Sequence, residues 1–316
     1  MVLGIDVSKD FLDCYQLIAG NAAHKRVENS ERGIKALLDW LERDVHVVME
    51  ATGVYWQSCA FALHQQGVKV SVVNPAGVKH FARATLRRGK TDSMDAELLA
   101  LYAQQMQPAL WSPPRAVYAE LQLLVRERDD VVDQVRQMQN QQHAHQHRYT
   151  CSDTLLKLLD ERISLLKTQL KTLEQSILCL CKQQLSEPYQ SLRSVPGIGA
   201  VTASVLLAET AGLENFEHPK QLAAYAGIAP APNQSGSFVG RSSISKVGNP
   251  RIRQACYMAA LQARRCGVFK SFYERLLRKG KAPKVALVAV ARKLLVIAFT
   301  LVKSSQRFDP NRLCKT

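Results

Sequence analysis

Two long heptad patterns in the middle of the chain restrict its fold more than any other feature. One runs at alternating intervals of three and four residues through Leu156, Leu159, Ile163, Leu166, Leu170, Leu173, Ile177 and Leu180. An earlier one repeats that rhythm, with one charged interruption, through Val117, Leu121, Leu124, Arg128, Val131, Val135 and Met138. This spacing predicts two long helices with coiled-coil seams, and the seams pair either within one chain or between chains.

The segments on either side predict two further domains. Strand and helix patterns alternate over residues 1–107, with strands at MVLGIDVS, LDCYQLI, VHVVMEA and VKVSVV, and a turn at NPAG. Helices are predicted at SERGIKALLDWLER, VYWQSCAFALHQQG and SMDAELLALYAQQ. The prolines of QPALWSPPRA indicate a boundary. We therefore expect an α/β domain at 1–107, a coiled-coil helical region at 108–186 and a mainly helical basic domain at 187–316.

The positive charge of the chain is concentrated in its last third. Residues 1–107 carry 12 Lys/Arg and 12 Asp/Glu, residues 108–190 carry 10 of each, and residues 191–316 carry 20 and 5. A surface with this excess of positive charge is typical of proteins that bind DNA or RNA. The alternative is a basic surface that serves only solubility, which the clean segregation of neutral and basic regions disfavours.

The location of the protein is predicted to be cytoplasmic. The first residues, MVLGIDVSKD, lack the pattern of a secretory signal. The most apolar stretch, residues 285–302, carries Arg292 and Lys293 at its centre, where charge is costly in lipid, so we expect a largely buried helix. The eight cysteines form no CxxC pair and no Cys/His ligand set, which favours reduced cysteines in the cytosol.

Four carboxylates occupy positions that a catalytic site can use. Asp6 ends one apolar strand and Glu50 ends another, while Asp92 and Asp95 lie three residues apart on one helix face behind the basic residues Arg87, Arg88 and Lys90. Two Mg²⁺ or Mn²⁺ ions would relieve their mutual repulsion and could clamp a phosphodiester. Each residue alone is equally consistent with a turn or a helix cap, and Thr91 or Asp92 is a candidate cap. The RNase H-like order of all four favours a metal site.

Two motifs of the basic domain suit phosphate binding. VPGIGAVTA, with Gly197 and Gly199, resembles the hairpin of a helix-hairpin-helix element, although a plain helix connection fits as well. Residues 233–254 combine five serines with Arg241, Lys246, Arg251 and Arg253. Such a polar basic loop can also present a serine nucleophile, but a base to activate it must come from elsewhere.

Seven ordered motifs, spread over almost the whole chain, resemble the DEDD-type insertion-sequence transposases that include the Piv and MooV DNA invertases, a family of bridge-RNA-guided recombinases. The motifs are GIDVSKD, VVMEATGVYW, VVNPAGVKHFA, RRGKTDSMDAELLA, VPGIGAVTASVLLAE, LAAYAGIAPAPNQSG and SKVGNPRIRQACYMAA. The resemblance implies a bacterial, nucleoid-associated enzyme with a RuvC-like first domain whose Asp6, Glu50, Asp92 and Asp95 bind Mg²⁺.

The resemblance also implies a reaction and an assembly. Ser235 corresponds to the family's nucleophilic serine, with Ser237 as the weaker candidate, and its attack on DNA would form a covalent phosphoserine intermediate. Dimers would assemble into a tetramer that combines the metal centre of one subunit with the serine of another. A guide RNA or accessory proteins would select the DNA. The alternatives are a junction-resolving endonuclease that uses water, a Piv-type invertase, and a non-enzymatic nucleic-acid scaffold.

Overall fold

The chain forms two compact units, Met1–Pro113 and Pro114–Thr316. The computed structural model describes residues 1–18, 21–42, 44–86, 91–231, 234–235, 238–239 and 243–310. The first unit is mixed α/β and the second is mostly helical, in agreement with the predicted fold class.

The first unit contains one five-stranded sheet and four helices. Its strands are β1 (Val2–Val7), β2 (Phe11–Ile18), β3 (Asn21–Glu28), β4 (His46–Glu50) and β5 (Lys69–Val73). Its helices are α1 (Glu31–Leu38), α2 (Trp56–Gln65), α3 (Pro75–Ala84) and α4 (Asp92–Met106). The strand order is β3-β2-β1-β4-β5, with β1, β2 and β3 antiparallel and β1, β4 and β5 parallel.

Side-chain alternation along the strands divides the first unit into two layers of core. Leu3, Ile5, Val47 and Met49 point to the side covered by α1 and α2. Val48 and Val73 point to the other side, against α3 and α4. Since side chains on a strand alternate between faces, Gly4 and Asp6 share the α4 side.

Two elements of the first unit differ from the prediction. NPAG was predicted as a turn, but Asn74 caps α3 through its side chain, which accepts from the amide of Ala76, and Pro75 is the first helical residue. Proline suits that position because the missing N–H has no partner there. Strand β3 was not predicted, because only Val27 in it is a buried apolar residue; its pairing with β2 forms it.

The second unit contains eight α-helices, a short 3-10 helix (Ala211–Leu213) and four short strands among its described residues. The helices are α5 (Ala116–Gln146), α6 (Asp153–Gln184), α7 (Ser186–Arg193), α8 (Ala200–Glu209), α9 (Pro219–Tyr225), α10 (Pro250–Ala263), α11 (Gly267–Arg278) and α12 (Pro283–Lys303). The strands are β6 (Pro230–Ala231), β7 (Gln234–Ser235), β8 (Phe238–Val239) and β9 (Ser243–Ile244).

The two heptad segments form α5 and α6, which pack against each other within one chain. The predicted seam residues Leu121, Val131, Leu159 and Ile163 are buried. The charged interruption of the first seam, Arg128, pairs with Glu174 of α6 at 3.1 Å. Intrachain pairing therefore accounts for the heptads without a second chain.

Helix α12 lies in the core of the second unit, as predicted. It contacts α7, α9, α10 and α11, and its buried side chains include Leu287, Val290, Leu294 and Leu295. Within the part of the chain that the structure describes, it is the one helix long and apolar enough to span a membrane, and half of that apolar window is buried. Lys293 lies 4.8 Å from the ring centre of Phe272, so its charge is held by an aromatic face.

Candidate functional site

Asp6 is the penultimate residue of β1 and Glu50 the last residue of β4, at the carboxyl ends of two neighbouring inner strands. Strands β1 and β4 run parallel with Ile5 opposite Met49, so the residue that follows each of these lies at the same level. Val48 and Gly4, two residues earlier, both face α4. The alternation of the strand therefore directs both carboxylates to the α4 side.

Helix α4 lies directly on β1 because residue 4 is glycine. A Cβ atom on Gly4 would overlap the carbonyl oxygen of Ala96 and the amide nitrogen of Ala100. This close approach sets the first turn of the helix, with Asp92 and Asp95, over the carboxyl end of β1.

The cap of α4 is Thr91, not Asp92. The Thr91 hydroxyl accepts from the amide of Met94 at 3.2 Å, and its φ of −142° is extended. Asp92 keeps a side chain that is 60% exposed. The capping role that the sequence left open is thus filled by a neighbour, and the Asp92 carboxylate remains available for another role.

The carboxylates interact electrostatically across this face. The pKa of Asp6 is raised from 3.8 to about 6, first by burial and then by the negative charges of Asp95, Asp92, Asp13 and Glu50, in that order. A carboxyl group with four acidic neighbours and partial burial is strained in its ionised form. A bound cation would reduce the electrostatic repulsion among these carboxylates.

Metal-ligating geometry is not assembled in this conformation. Over the described ranges, no group of three or more His, Cys, Asp or Glu side chains is close enough to enclose a metal ion. The chemistry of the donors nevertheless fits Mg²⁺ or Mn²⁺, because hard divalent cations prefer carboxylate oxygens, and the negative charges of Asp95, Asp92, Asp13 and Glu50 add to burial in raising the Asp6 pKa. Asp6, Glu50, Asp92 and Asp95 are the residues that would hold such an ion.

Several residues around this face were not predicted from the sequence. Asp13 is buried and lies opposite Asp6 in the register of β1 and β2. His24 and Arg26 of β3 lie near it, and the Thr52 hydroxyl donates to Glu50 Oε1 at 2.5 Å. The alternation of FLDCYQLI, with Leu12 and Cys14 buried on the other face, could have assigned Asp13 to the face of Asp6.

Asp6→Asn is expected to stabilise the metal-free protein. The folded state raises the pKa of Asp6 above its unfolded value, so the ionised carboxyl destabilises the fold above about pH 6, and this penalty disappears as the pH falls below 3.8. Because Asp6 is partly exposed, solvent screening reduces this penalty. We expect Asp6→Asn to raise the free energy of unfolding by about 1 kcal/mol at neutral pH. Thermal unfolding in EDTA checks this. A gain that persists unchanged at pH 4 would contradict the electrostatic cause.

Ser235 belongs to the second unit, in the segment between α9 and α10 that was predicted only as a polar loop. This segment, called the ribbon below, contains two separate two-stranded sheets among its described residues. Pro230 and Ala231 pair with Ile244 and Ser243 in one sheet, and Ser235 pairs with Phe238 in the other. Gly236, Ser237 and Arg241 lie outside the described residues, as do Arg87, Arg88 and Lys90 of the first unit.

The base of this ribbon is fastened by Arg253. Its guanidinium donates to the carbonyl oxygens of Ala226 at 3.0 Å and Lys246 at 3.2 Å, one on each side of the ribbon. Gly248 adopts a φ of +135°, and a Cβ there would overlap the Tyr225 carbonyl oxygen. Arg253 was predicted to bind nucleic acid, and in the structure its guanidinium donates to two backbone carbonyl groups of the protein itself, one before β6 and one after β9.

A buried acidic residue ties the ribbon to the long helix α5. Glu209, whose side chain is 1% exposed, accepts two hydrogen bonds from Arg126, at 3.0 and 3.1 Å, and one from Asn249 at 2.8 Å. Asn249 also caps α10. Arg251, another predicted nucleic-acid ligand, pairs with Asp129 of α5 at 2.9 Å. Lys246 is exposed.

The predicted hairpin glycines lie between α7 and α8. Gly197 has a φ of +93°, and a Cβ there would come within 2.6 Å of the Ala259 carbonyl oxygen, so glycine allows this turn to pack against α10. Gly199 is the N-cap residue of α8, where it leaves the first amides of the helix without a side chain in front of them. The two glycines therefore have different roles.

Comparison with known proteins matches both units. A family model described as a DEDD transposase of IS110 matches residues 3–150, and one described as a transposase of the IS116/IS110/IS902 family matches residues 189–274. The pilin gene-inverting proteins of Moraxella bovis and Moraxella lacunata are each 30% identical over 97% of both chains. A putative transposase of Sinorhizobium fredii is 25% identical over 97% of this chain and 85% of its own. The chain therefore belongs to the IS110/IS116/IS902 transposase family and is a DNA recombinase.

Proposed function

We propose that this recombinase cleaves and rejoins DNA with a carboxylate-held divalent cation and a serine nucleophile. The observation that carries the proposal is the half-buried Asp6, which shares one face of the first unit with Asp92, Asp95 and Glu50 and whose pKa is raised to about 6. Groups with strongly perturbed pKa values are common at catalytic sites.

In this proposal Asp6, Glu50, Asp92 and Asp95 hold Mg²⁺ or Mn²⁺. The bound cation supplies Lewis-acid stabilisation of the phosphate oxygens. The strand ends fix Asp6 and Glu50, whereas Asp92 and Asp95 depend on the placement of α4. The Thr52 hydroxyl orients Glu50 through its hydrogen bond at 2.5 Å.

Ser235 is the proposed nucleophile. Its Oγ attacks the phosphorus of the scissile phosphodiester, a new P–Oγ bond forms, and the bond to one sugar oxygen breaks. The serine loses its proton and the leaving sugar oxygen gains one. Because one phosphodiester replaces another, rejoining by a sugar hydroxyl needs no external energy. The fastened ribbon base, with Arg253 across it, would hold the serine in a defined position.

The finer description of the fold follows from this assignment. We propose an RNase H-like (RuvC-like) catalytic domain at 1–107, a coiled-coil region at 108–186 and a transposase domain with a helix-hairpin-helix-like turn at 187–316. The mixed sheet order β3-β2-β1-β4-β5, with carboxylates at the ends of β1 and β4 and on α4, supports the first assignment.

Nucleic acid is the proposed partner of the basic third of the chain. Residues 191–316 carry 20 Lys/Arg against 5 Asp/Glu, and Lys246 is exposed beside the ribbon. Arg87, Arg88, Lys90 and Arg241 are assigned phosphate contacts, as are the amides near Gly199. Arg251 and Arg253 would contribute chiefly by holding the ribbon. A guide RNA, a nucleoid location and a tetramer in which Ser235 acts with another subunit's carboxylates complete the proposal.

Site-specific inversion is a second candidate function. The match to pilin gene-inverting proteins extends over 97% of both chains, whereas the match to the Sinorhizobium transposase covers 85% of that relative. Paired recombination sites in inverted and direct orientation distinguish the two functions. An inverting enzyme reverses the segment between inverted sites and inserts nothing elsewhere.

The carboxylate assignment is tested by Asp95→Asn. We expect DNA strand cleavage to fall by at least about a hundredfold, because removing a group that stabilises the transition state costs several kcal/mol. Binding of DNA, measured by gel shift, should stay near the wild-type value. Glu31→Gln, a first-turn acidic residue of α1 on the other side of the sheet, is the matched control. Full cleavage by Asp95→Asn would overturn the assignment of this carboxylate to the metal site.

A further inference from the structure

Arg26 extends the row of charged side chains on the α4 side of the sheet. In the antiparallel register Asp6 lies opposite Asp13, and Asp13 lies opposite Arg26. Residues opposite each other on adjacent strands share a face. A continuous row of charged side chains therefore crosses three strands, from Asp6 through Asp13 to Arg26. The positively charged guanidinium of Arg26 lies at its outer end.

Three contacts hold the guanidinium of Arg26 at this place. Its Nε lies 3.7 Å from Oδ2 of the buried Asp13, and the guanidinium carbon Cζ lies 4.4 Å from the ring centre of Phe11. Its Nη2 lies 3.8 Å from Oδ2 of Asp92. The contacts with the Phe11 ring and the Asp13 carboxylate position the guanidinium beside Asp92.

This arrangement brings a fixed positive charge to one of the proposed metal ligands. Asp92 is acidic and mostly exposed, and the hydroxyl of Thr91 already caps its helix. An ion arriving at Asp92 would have to displace the guanidinium and would be repelled by it.

We propose that Arg26 is a built-in counter-ion that competes with the divalent cation for Asp92. The inference rests on the proposed function of the carboxylates. In the metal-free protein Arg26 offsets part of the repulsion among them and holds Asp92 toward β3. Arg26 is thus a positioning residue, because it acts on the site through a ligand.

The affinity for Mn²⁺, measured by electron paramagnetic resonance on DNA-free protein, tests the proposal. Arg26→Met should bind Mn²⁺ about three- to tenfold more tightly than the wild type, the range given by loss of one partly exposed ion pair and one repulsive charge. Arg26→Lys keeps the positive charge, so its Mn²⁺ affinity should lie between those of the wild type and Arg26→Met.

Lys25→Met is the matched control, because it removes the same charge from the neighbouring position of the same strand. Lys25 contacts the Ala36 carbonyl oxygen and the Trp40 ring instead of the acidic face. The Mn²⁺ affinity of Lys25→Met should therefore equal that of the wild type. The double variant Asp13→Asn/Arg26→Met avoids leaving the buried Asp13 without its cation if Arg26→Met folds poorly. Because Asp13→Asn itself removes a negative charge beside Asp6, the double variant is compared with Asp13→Asn alone, and it should bind Mn²⁺ about three- to tenfold more tightly than that single variant.

The outcomes separate this proposal from the function on which it rests. If the wild type binds Mn²⁺ and the Arg26 variants bind it equally or more weakly, the counter-ion role is wrong and the metal site stands. If Lys25→Met tightens binding as much as Arg26→Met, a general charge effect replaces the specific contact. If neither the wild type nor any variant binds Mn²⁺, the metal site itself is wrong and the counter-ion role falls with it.

Discussion

Ser235→Ala is expected to abolish recombination and the covalent protein–DNA adduct while DNA binding stays within about twofold of the wild type. The substitution removes the one atom that forms the new bond to phosphorus, and no other group can replace a nucleophile at its position. The ribbon pairing of Ser235 with Phe238 is made by backbone atoms, so alanine preserves it. Recombination of a plasmid substrate and retention of labelled DNA on denatured protein measure the two effects.

Ser237→Ala separates the two serines that are candidates for the nucleophile. With Ser235 as the nucleophile, this control should keep its adduct and its recombination. Loss of the adduct only in Ser237→Ala would transfer the role to that residue. Cleavage that continues in Ser235→Ala without an adduct would indicate water as the nucleophile, as in a junction-resolving endonuclease.

Gly4→Ala is expected to disable the first unit. The added Cβ would overlap backbone atoms of Ala96 and Ala100, which cannot rotate away as a side chain can, so α4 must move off the sheet. Overpacking of this kind costs about 1–3 kcal/mol or more. A displacement of Asp92 and Asp95 by about 1 Å relative to Asp6 would lower the cleavage rate by about a hundredfold.

Gly77→Ala is the matched control for that substitution. Gly77 lies within α3 of the same unit, and a Cβ there meets only the Tyr102 hydroxyl, at 3.3 Å, which a small side-chain rotation relieves. Alanine favours a helix interior, so stability should stay equal or rise. Cleavage and thermal unfolding of both variants test this. A Gly4→Ala protein with wild-type stability and cleavage would show that α4 does not depend on this close approach.

Local patterns were sufficient to predict much of the fold. The heptads predicted α5 and α6, and the apolar runs ending at Asp6 and Glu50 predicted β1 and β4. Strand β3 has almost no buried apolar residue, and only its pairing with β2 stabilises it. Whether the heptads pair within the chain also depends on tertiary contacts, such as that between Arg128 and Glu174.

The site residues at strand ends and on one helix face were predictable from the sequence. The site residues whose position depends on the pairing register of the strands were not. The sequence places Asp6 and Glu50 at strand ends and Asp92 with Asp95 on one helix face. The involvement of Asp13 and Arg26 follows from the registers of β1, β2 and β3, which a single sequence does not specify. The internal role of Arg253 likewise depends on how the ribbon closes, since its partners are the backbone carbonyls of Ala226 and Lys246.

The attachment point of DNA on the protein tests the central claim most directly. The reaction of the wild-type protein with a DNA substrate in Mg²⁺ is stopped with denaturant, the DNA is trimmed by nuclease, and the peptides are sequenced by mass spectrometry. The account predicts a nucleotide phosphate on Ser235, formed in Mg²⁺ and lost in EDTA and in Asp95→Asn. A nucleotide on another residue, or recombinant DNA formed without any adduct, would contradict it.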